Sequence, residues 1–120
     1  MIATHLLERS GNFLESPEFK QSAAHLTWWK AVDQVLFRAY WGEASPPQLE
    51  ATPLQLLLDL KGVSYQTTGQ FHYVVETDVK PEHEEEMNAW YNTEHLVGLS
   101  QVPGVISATR YSRLSGGPRF

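Results

Sequence analysis

The sequence predicts an α+β fold of order β-α-β-β-α-β, and three observations carry that expectation. Ser16-Pro17-Glu18 reads as a helix start, and Trp28, Val32, Val35, Leu36 and Ala39 continue it as an apolar stripe at helical spacing. Residues 70–79 alternate Phe71, Tyr73, Val75, Thr77 and Val79 against His72, Val74, Glu76 and Asp78, the period of a strand. Lys80-Pro81-Glu82, followed by Glu84-Glu85-Glu86, then places proline and acids where a second helix begins.

The remaining elements fall between these. Residues 2–7 (Ile-Ala-Thr-His-Leu-Leu) read as a short first strand, and 8–15 as a loop broken at Ser10-Gly11-Asn12. The first helix is expected to run to Tyr40 or Trp41, and residues 42–47 to form a loop. Leu54, Leu56, Leu58 and Leu60 alternate as an edge strand does, although leucine favours helix. Residues 61–69 are a polar connection. Val102-Pro103-Gly104 is a turn into a last strand over 105–112, and Ser115-Gly116-Gly117-Pro118 reads as a flexible tail. One domain over 1–120 follows, made of a β-α-β half (1–60), a second β-α-β half (70–114) and the tail (115–120). Two helices on one face of a four-stranded antiparallel sheet is the ferredoxin-like arrangement. Its other face needs a cover, and a second copy supplies one, so a homodimer is expected.

Composition narrows the function classes. The chain has 120 residues, 42% hydrophobic and 19% charged, which is ordinary for a soluble globular domain. Its net charge of −5 argues against nucleic acid. It has no cysteine, so disulfides, thiolate metal sites and cysteine nucleophiles are excluded. No apolar run approaches the ~18 residues of a membrane span, and the N-terminus lacks signal-peptide character, so the expected location is cytoplasmic. His83 with Glu82 and Glu84-Glu85-Glu86 reads as a solvated helix start, and no metal is expected.

The chemistry gathers on the second helix. Met87, Trp90, Tyr91, His95 and Leu99 share one face by three-and-four spacing, with Glu82, Glu85, Glu86 and Asn92 elsewhere and wet. His95 is thus directed inward, where an imidazole serves as a general base or acid near neutrality. The other reading is a core histidine hydrogen-bonded to a backbone carbonyl or a carboxylate, holding helix to sheet.

Residues 76–82 (Glu-Thr-Asp-Val-Lys-Pro-Glu), Trp90-Tyr91 with Glu94-His95, Val102-Pro103-Gly104-Val105 and Arg110-Tyr111 together resemble the EthD-like branch of the dimeric α/β-barrel superfamily. The resemblance covers roughly residues 70–113. Leu14 to Phe19, with Trp29 and Phe37, resembles a further strand and helix of those proteins more loosely. The order differs from theirs, because their first half lies second here. The chain therefore resembles a circular permutation, or a window of a tandem repeat, with the ferredoxin-like pattern kept by pseudo-twofold symmetry.

The resemblance implies cofactor-independent oxygenases, lactone isomerases, polyketide cyclases or haem-degrading enzymes, with His95 as the family histidine beside Trp90 and Tyr91. An enzyme acting on a small planar oxygenated compound would use His95 to move a proton α to a carbonyl, with Tyr91 or Tyr73 donating to the enolate oxygen. His72 and His5 are candidates to line the pocket, or else packed strand residues. Arg110 would hold an acidic group, or else pair with Glu94 or Glu76. The alternative is a non-catalytic ligand-binding or structural dimeric domain whose pocket is closed by Trp28, Trp29 and Trp90. No cofactor is expected; haem is a thinner option, since histidine near tryptophan suits it but no attachment motif is present.

Overall fold

Ser16 caps the first helix as its sequence predicts. Its hydroxyl accepts from Phe19 N–H at 3.1 Å, and Pro17 occupies the first turn. The helix, α1, is only Pro17–Ser22. The computed structural model describes residues 2–42 and 50–120, and side chains from residue 4; most of the expected 42–47 loop lies outside the described residues. The chain divides into two compact units, Met1–Gln55 and Leu56–Phe120.

In the first unit, strands β1 (Ile2–Ser10), β2 (Trp29–Lys30), β3 (Leu36–Trp41) and the start of β4 (Thr52–Lys61) pair in the order β2-β3-β1-β4, all antiparallel. The long first helix is therefore corrected. Beyond Ser22 the chain turns and forms a hairpin, with Trp29 opposite Arg38 and Lys30 opposite Phe37. The expected stripe is rich in β-branched and aromatic residues, which fit a pleated surface better than a helix. Val32 (97% exposed) and Val35 sit in the hairpin turn, in solvent, while Phe37 and Ala39 alternate inward.

Leu6 and Leu7 are both buried, and successive strand residues face opposite ways, so both faces of β1 are covered here. Leu7 opposes Ala39 and Arg9 opposes Phe37, which puts these four on one face. Phe13, in a 3₁₀ turn (Phe13–Glu15), covers that face. Its ring centroid lies 4.5 Å from Trp28 and 5.6 Å from both Phe19 and Phe37. Arg9 grips Glu18 through two bonds of 2.6 and 2.9 Å, tying β1 to α1. On the opposite face Glu8 and Arg38, directly opposed, form an ion pair of 3.0 Å.

In the second unit the end of β4 neighbours β5 (Ser107–Arg113), and Thr109 Oγ1 donates to Asp59 Oδ1 at 2.9 Å. Five strands, β4 common to both units, are thus present among the described residues, against the expected four. The fold is α+β with one main helical run. That run spans residues 81–100: a 3₁₀ turn (Pro81–His83), α2 (Glu84–Trp90), a π turn (Tyr91–His95) and α3 (Leu96–Ser100), which packs on β5.

Residues 70–79 are the second correction, because no strand is assigned there among the described residues. Phe71 and Tyr73 are 88% and 87% exposed. Alternation makes a segment fit for a sheet, but a strand also needs a neighbouring ladder. Thr77 exchanges two backbone bonds with Phe120, of 2.7 and 3.0 Å. That contact corrects the flexible tail: Arg113 N–H also bonds Arg119 O at 2.8 Å, and the tail folds back. Gly116 and Gly117, at φ 69° and 44°, make the turn that permits it.

Candidate functional site

The face the helix presents inward differs from the one its apolar spacing suggested. Leu96 and Ser100 are buried, Asn88 and Asn92 half-buried, and these four recur every fourth residue. Trp90 is 44% exposed, Leu99 lies at the surface, and Met87, Tyr91 and His95 occupy the border. Asn92, expected in solvent, is held by Arg110.

The π turn explains the arrangement of the rings. Leu96 N–H reaches back five residues to Tyr91 O, and Thr93 Oγ1 donates to Ala89 O at 2.7 Å, occupying a carbonyl of the preceding turn. In an α-helix, residues five apart stand about 140° from each other around the axis. The wider turn brings them closer to one line, and His95 stacks on Trp90 with centroids 4.5 Å apart and planes at 13°. Tyr91 meets His95 edge-on at 5.3 Å and Trp90 at 5.0 Å. His95 is half-buried and makes no hydrogen bond among the described residues, so the core-histidine reading, with an imidazole bonded to backbone or carboxylate, is not what is found.

Arg110 is 7% exposed and projects from β5 toward the helix. Its Nη1 donates to Asn92 Oδ1 at 2.7 Å and its Nη2 to Asn88 Oδ1 at 2.8 Å. The guanidinium carbon lies 4.7 Å from the Tyr91 ring centre and 5.6 Å from that of Phe120. Burial pushes the guanidinium pKa below its ordinary value, partly offset by Tyr91. An ion pair to Glu94 or Glu76 was the other expectation. Neither forms with Arg110 among the described residues; Glu76 instead accepts from Arg113 at 3.1 Å.

The structure thus brings together Trp90, Tyr91, His95 and Arg110 of the sequence candidates, and adds Asn88, Asn92 and Phe120. Two asparagines four apart in mid-helix, where asparagine is a poor helix former, were the available signal for the first two. Tyr73 and His72 lie on the exposed 70–79 segment. His5 belongs to the first unit, on β1 opposite Trp41 and Pro53, where its Nδ1 is buried without a hydrogen-bond partner. Trp28 is half-buried in that unit, its ring against Phe13 and its indole N–H donating to Ser22 Oγ at 2.9 Å, and Trp29 lies on β2. No group of three or more His, Cys, Asp or Glu that could hold a metal occurs among the described residues, and no helix among them is long and apolar enough to cross a membrane. Comparison with protein-family models, curated proteins and solved structures finds no match.

Proposed function

We propose that the helix around His95 is a site for a small planar carbonyl compound, at which His95 moves a proton. The observation that carries this reading is the imidazole itself. It is half-exposed, stacked on Trp90, and free of hydrogen bonds among the described residues. The indole and phenol rings offer flat apolar surface to a planar ligand. In the reaction, a proton α to the carbonyl passes to an imidazole nitrogen and its bonding pair moves into the enolate. Where a double bond conjugates with the enolate, return of the proton at the γ-carbon completes an isomerisation, and the Tyr91 hydroxyl would donate to the enolate oxygen. No cofactor is required.

The resemblance of the Trp90-Tyr91, Glu94-His95, Val102-Pro103-Gly104 and Arg110-Tyr111 package to EthD-like proteins supports the same reading, in permuted order. It also supports a homodimer. The exposure of Trp90 favours a second reading, a binding domain without turnover.

Solvent deuterium incorporation into phenylacetone, followed by proton NMR, tests the proposal. The protein is expected to accelerate exchange α to the carbonyl, and His95→Ala to abolish the acceleration with its unfolding midpoint unchanged. Equal exchange with and without the imidazole would remove the catalytic role. Loss of folding in His95→Ala would return the residue to a structural one.

A further inference from the structure

Arg110 is a buried cation whose hydrogen-bond partners are both neutral amides. An isolated charge in the interior costs several kcal/mol unless something compensates it, and carboxamide oxygens supply only partial negative charge. No carboxylate bonds Arg110 among the described residues, and three acids of the same unit are engaged elsewhere. Glu76 pairs with Arg113, Glu84 with Arg119, and Asp78 accepts from the Arg119 backbone N–H at 2.8 Å. A guanidinium has five N–H donors, of which Asn88 and Asn92 take one each. Each Nη therefore retains a second N–H, and the two asparagines fix the plane in which these point. Donors of this kind make the fork that an oxyanion takes.

We propose that Arg110, held by Asn88 and Asn92, binds the carboxylate of an aromatic or similarly planar acid whose body lies on the ring cluster of Tyr91, Trp90 and His95. The inference rests on the small-molecule reading of the His95 site and adds a charged group by which a ligand is held more tightly. A monoanion suits the site better than phosphate, because one buried guanidinium matches one negative charge and no second cation touches it among the described residues. Tyr91 contacts both the guanidinium and the imidazole, so a carboxylate on one places the ligand's body beside the other. Phe120 also lies over Arg110, and of its neighbours this ring alone sits on a segment without helix or strand.

The test uses benzoate and benzamide, which share a shape and differ in charge, titrated into the intact chain at constant ionic strength. NMR signals of Arg110 Nε–H, the Trp90 indole and the His95 ring report binding. Benzoate is expected to shift all three saturably and to bind at least tenfold more tightly than benzamide. Arg110→Gln removes the fork but also cuts the link between β5 and helix, so Asn88→Asp is the sharper variant. It keeps the shape, supplies an internal carboxylate, and is expected to weaken benzoate at least tenfold while leaving benzamide unchanged. Equal affinity for the two ligands, undiminished benzoate binding in Asn88→Asp, or displacement of benzoate by equimolar inorganic phosphate would overturn the carboxylate assignment alone. Absence of any shift with either ligand would overturn both this inference and the reading beneath it.

Discussion

Gly62 follows β4 where the backbone comes hard against the segment leading into β5, and alanine there perturbs the strand that carries Arg110. A Cβ at Gly62 would run into Val105 O and lie 2.5 Å from Val105 C and 2.9 Å from Ile106 C. These are backbone atoms, so no rotamer change relieves the clash. The approach is held by Gly62 N–H to Ile106 O at 2.8 Å and Ser64 N–H to Val105 O at 2.9 Å. Forcing the segments apart costs about 1–3 kcal/mol in overpacking. Losing both bonds adds about 1 kcal/mol each. Lower chain entropy of alanine in the unfolded state returns up to about 1 kcal/mol, leaving a net loss of about 3 kcal/mol. Urea denaturation followed by circular dichroism reads the effect, with Gly98→Ala as the opposing control. Gly98 sits in α3, and a methyl group there would meet nothing within 4 Å, so alanine is expected to raise stability by about 1 kcal/mol. A Gly62→Ala midpoint equal to that of the wild type would refute the close approach.

Two further perturbations address the first unit. Phe13→Ala removes the ring shared by Phe19, Trp28 and Phe37 and is expected to cost about 3–5 kcal/mol in the same denaturation assay; a loss under about 1 kcal/mol would show that Phe13 is not the hub. The two hydrogen bonds from Arg9 hold the Glu18 carboxyl below its ordinary 4.5, against the opposing effect of burial. Its folded pKa is depressed, so its stabilisation is complete above 4.5 and is lost as pH falls from there through the folded value. Glu18→Gln should therefore cost about 1 kcal/mol at pH 7, a gap that narrows as pH falls from 4.5 through the folded value; a pH-independent gap would contradict the pairing.

The parts of the fold legible in the sequence were those set by local chemistry. The Ser16 cap, Pro17, the leucine strand of β4, the acidic start at Pro81 and the turn before β5 each depend on a few neighbouring residues. The failures arose where tertiary partners decide. Trp28, Val32 and Val35 match a helical period, yet pairing of Trp29 with Arg38 across a hairpin prevailed over that period. Residues 70–79 carry the alternation of a strand, which speaks to shape and not to the presence of a neighbour. At the helix, spacing put His95, Trp90 and Tyr91 on an inward face that is in fact formed by Asn88, Asn92, Leu96 and Ser100, and the stacking of the rings follows from a π turn that an α-helical wheel does not contain. Asn92 was expected in solvent, and Asn88 drew no reading, because their partner, Arg110, lies on a strand 18 residues beyond Asn92.

The central claim is that the π turn stacks His95 on Trp90 and leaves its imidazole facing a ligand. The most direct measurement is the position of the His95 ring-proton NMR signals in the free protein and during titration with phenylacetone. These signals are expected to be displaced upfield by the indole, restored toward ordinary histidine values in Trp90→Leu, and shifted saturably by the ligand. Ring signals at ordinary positions in the wild type, unmoved at saturating phenylacetone, would contradict the claim.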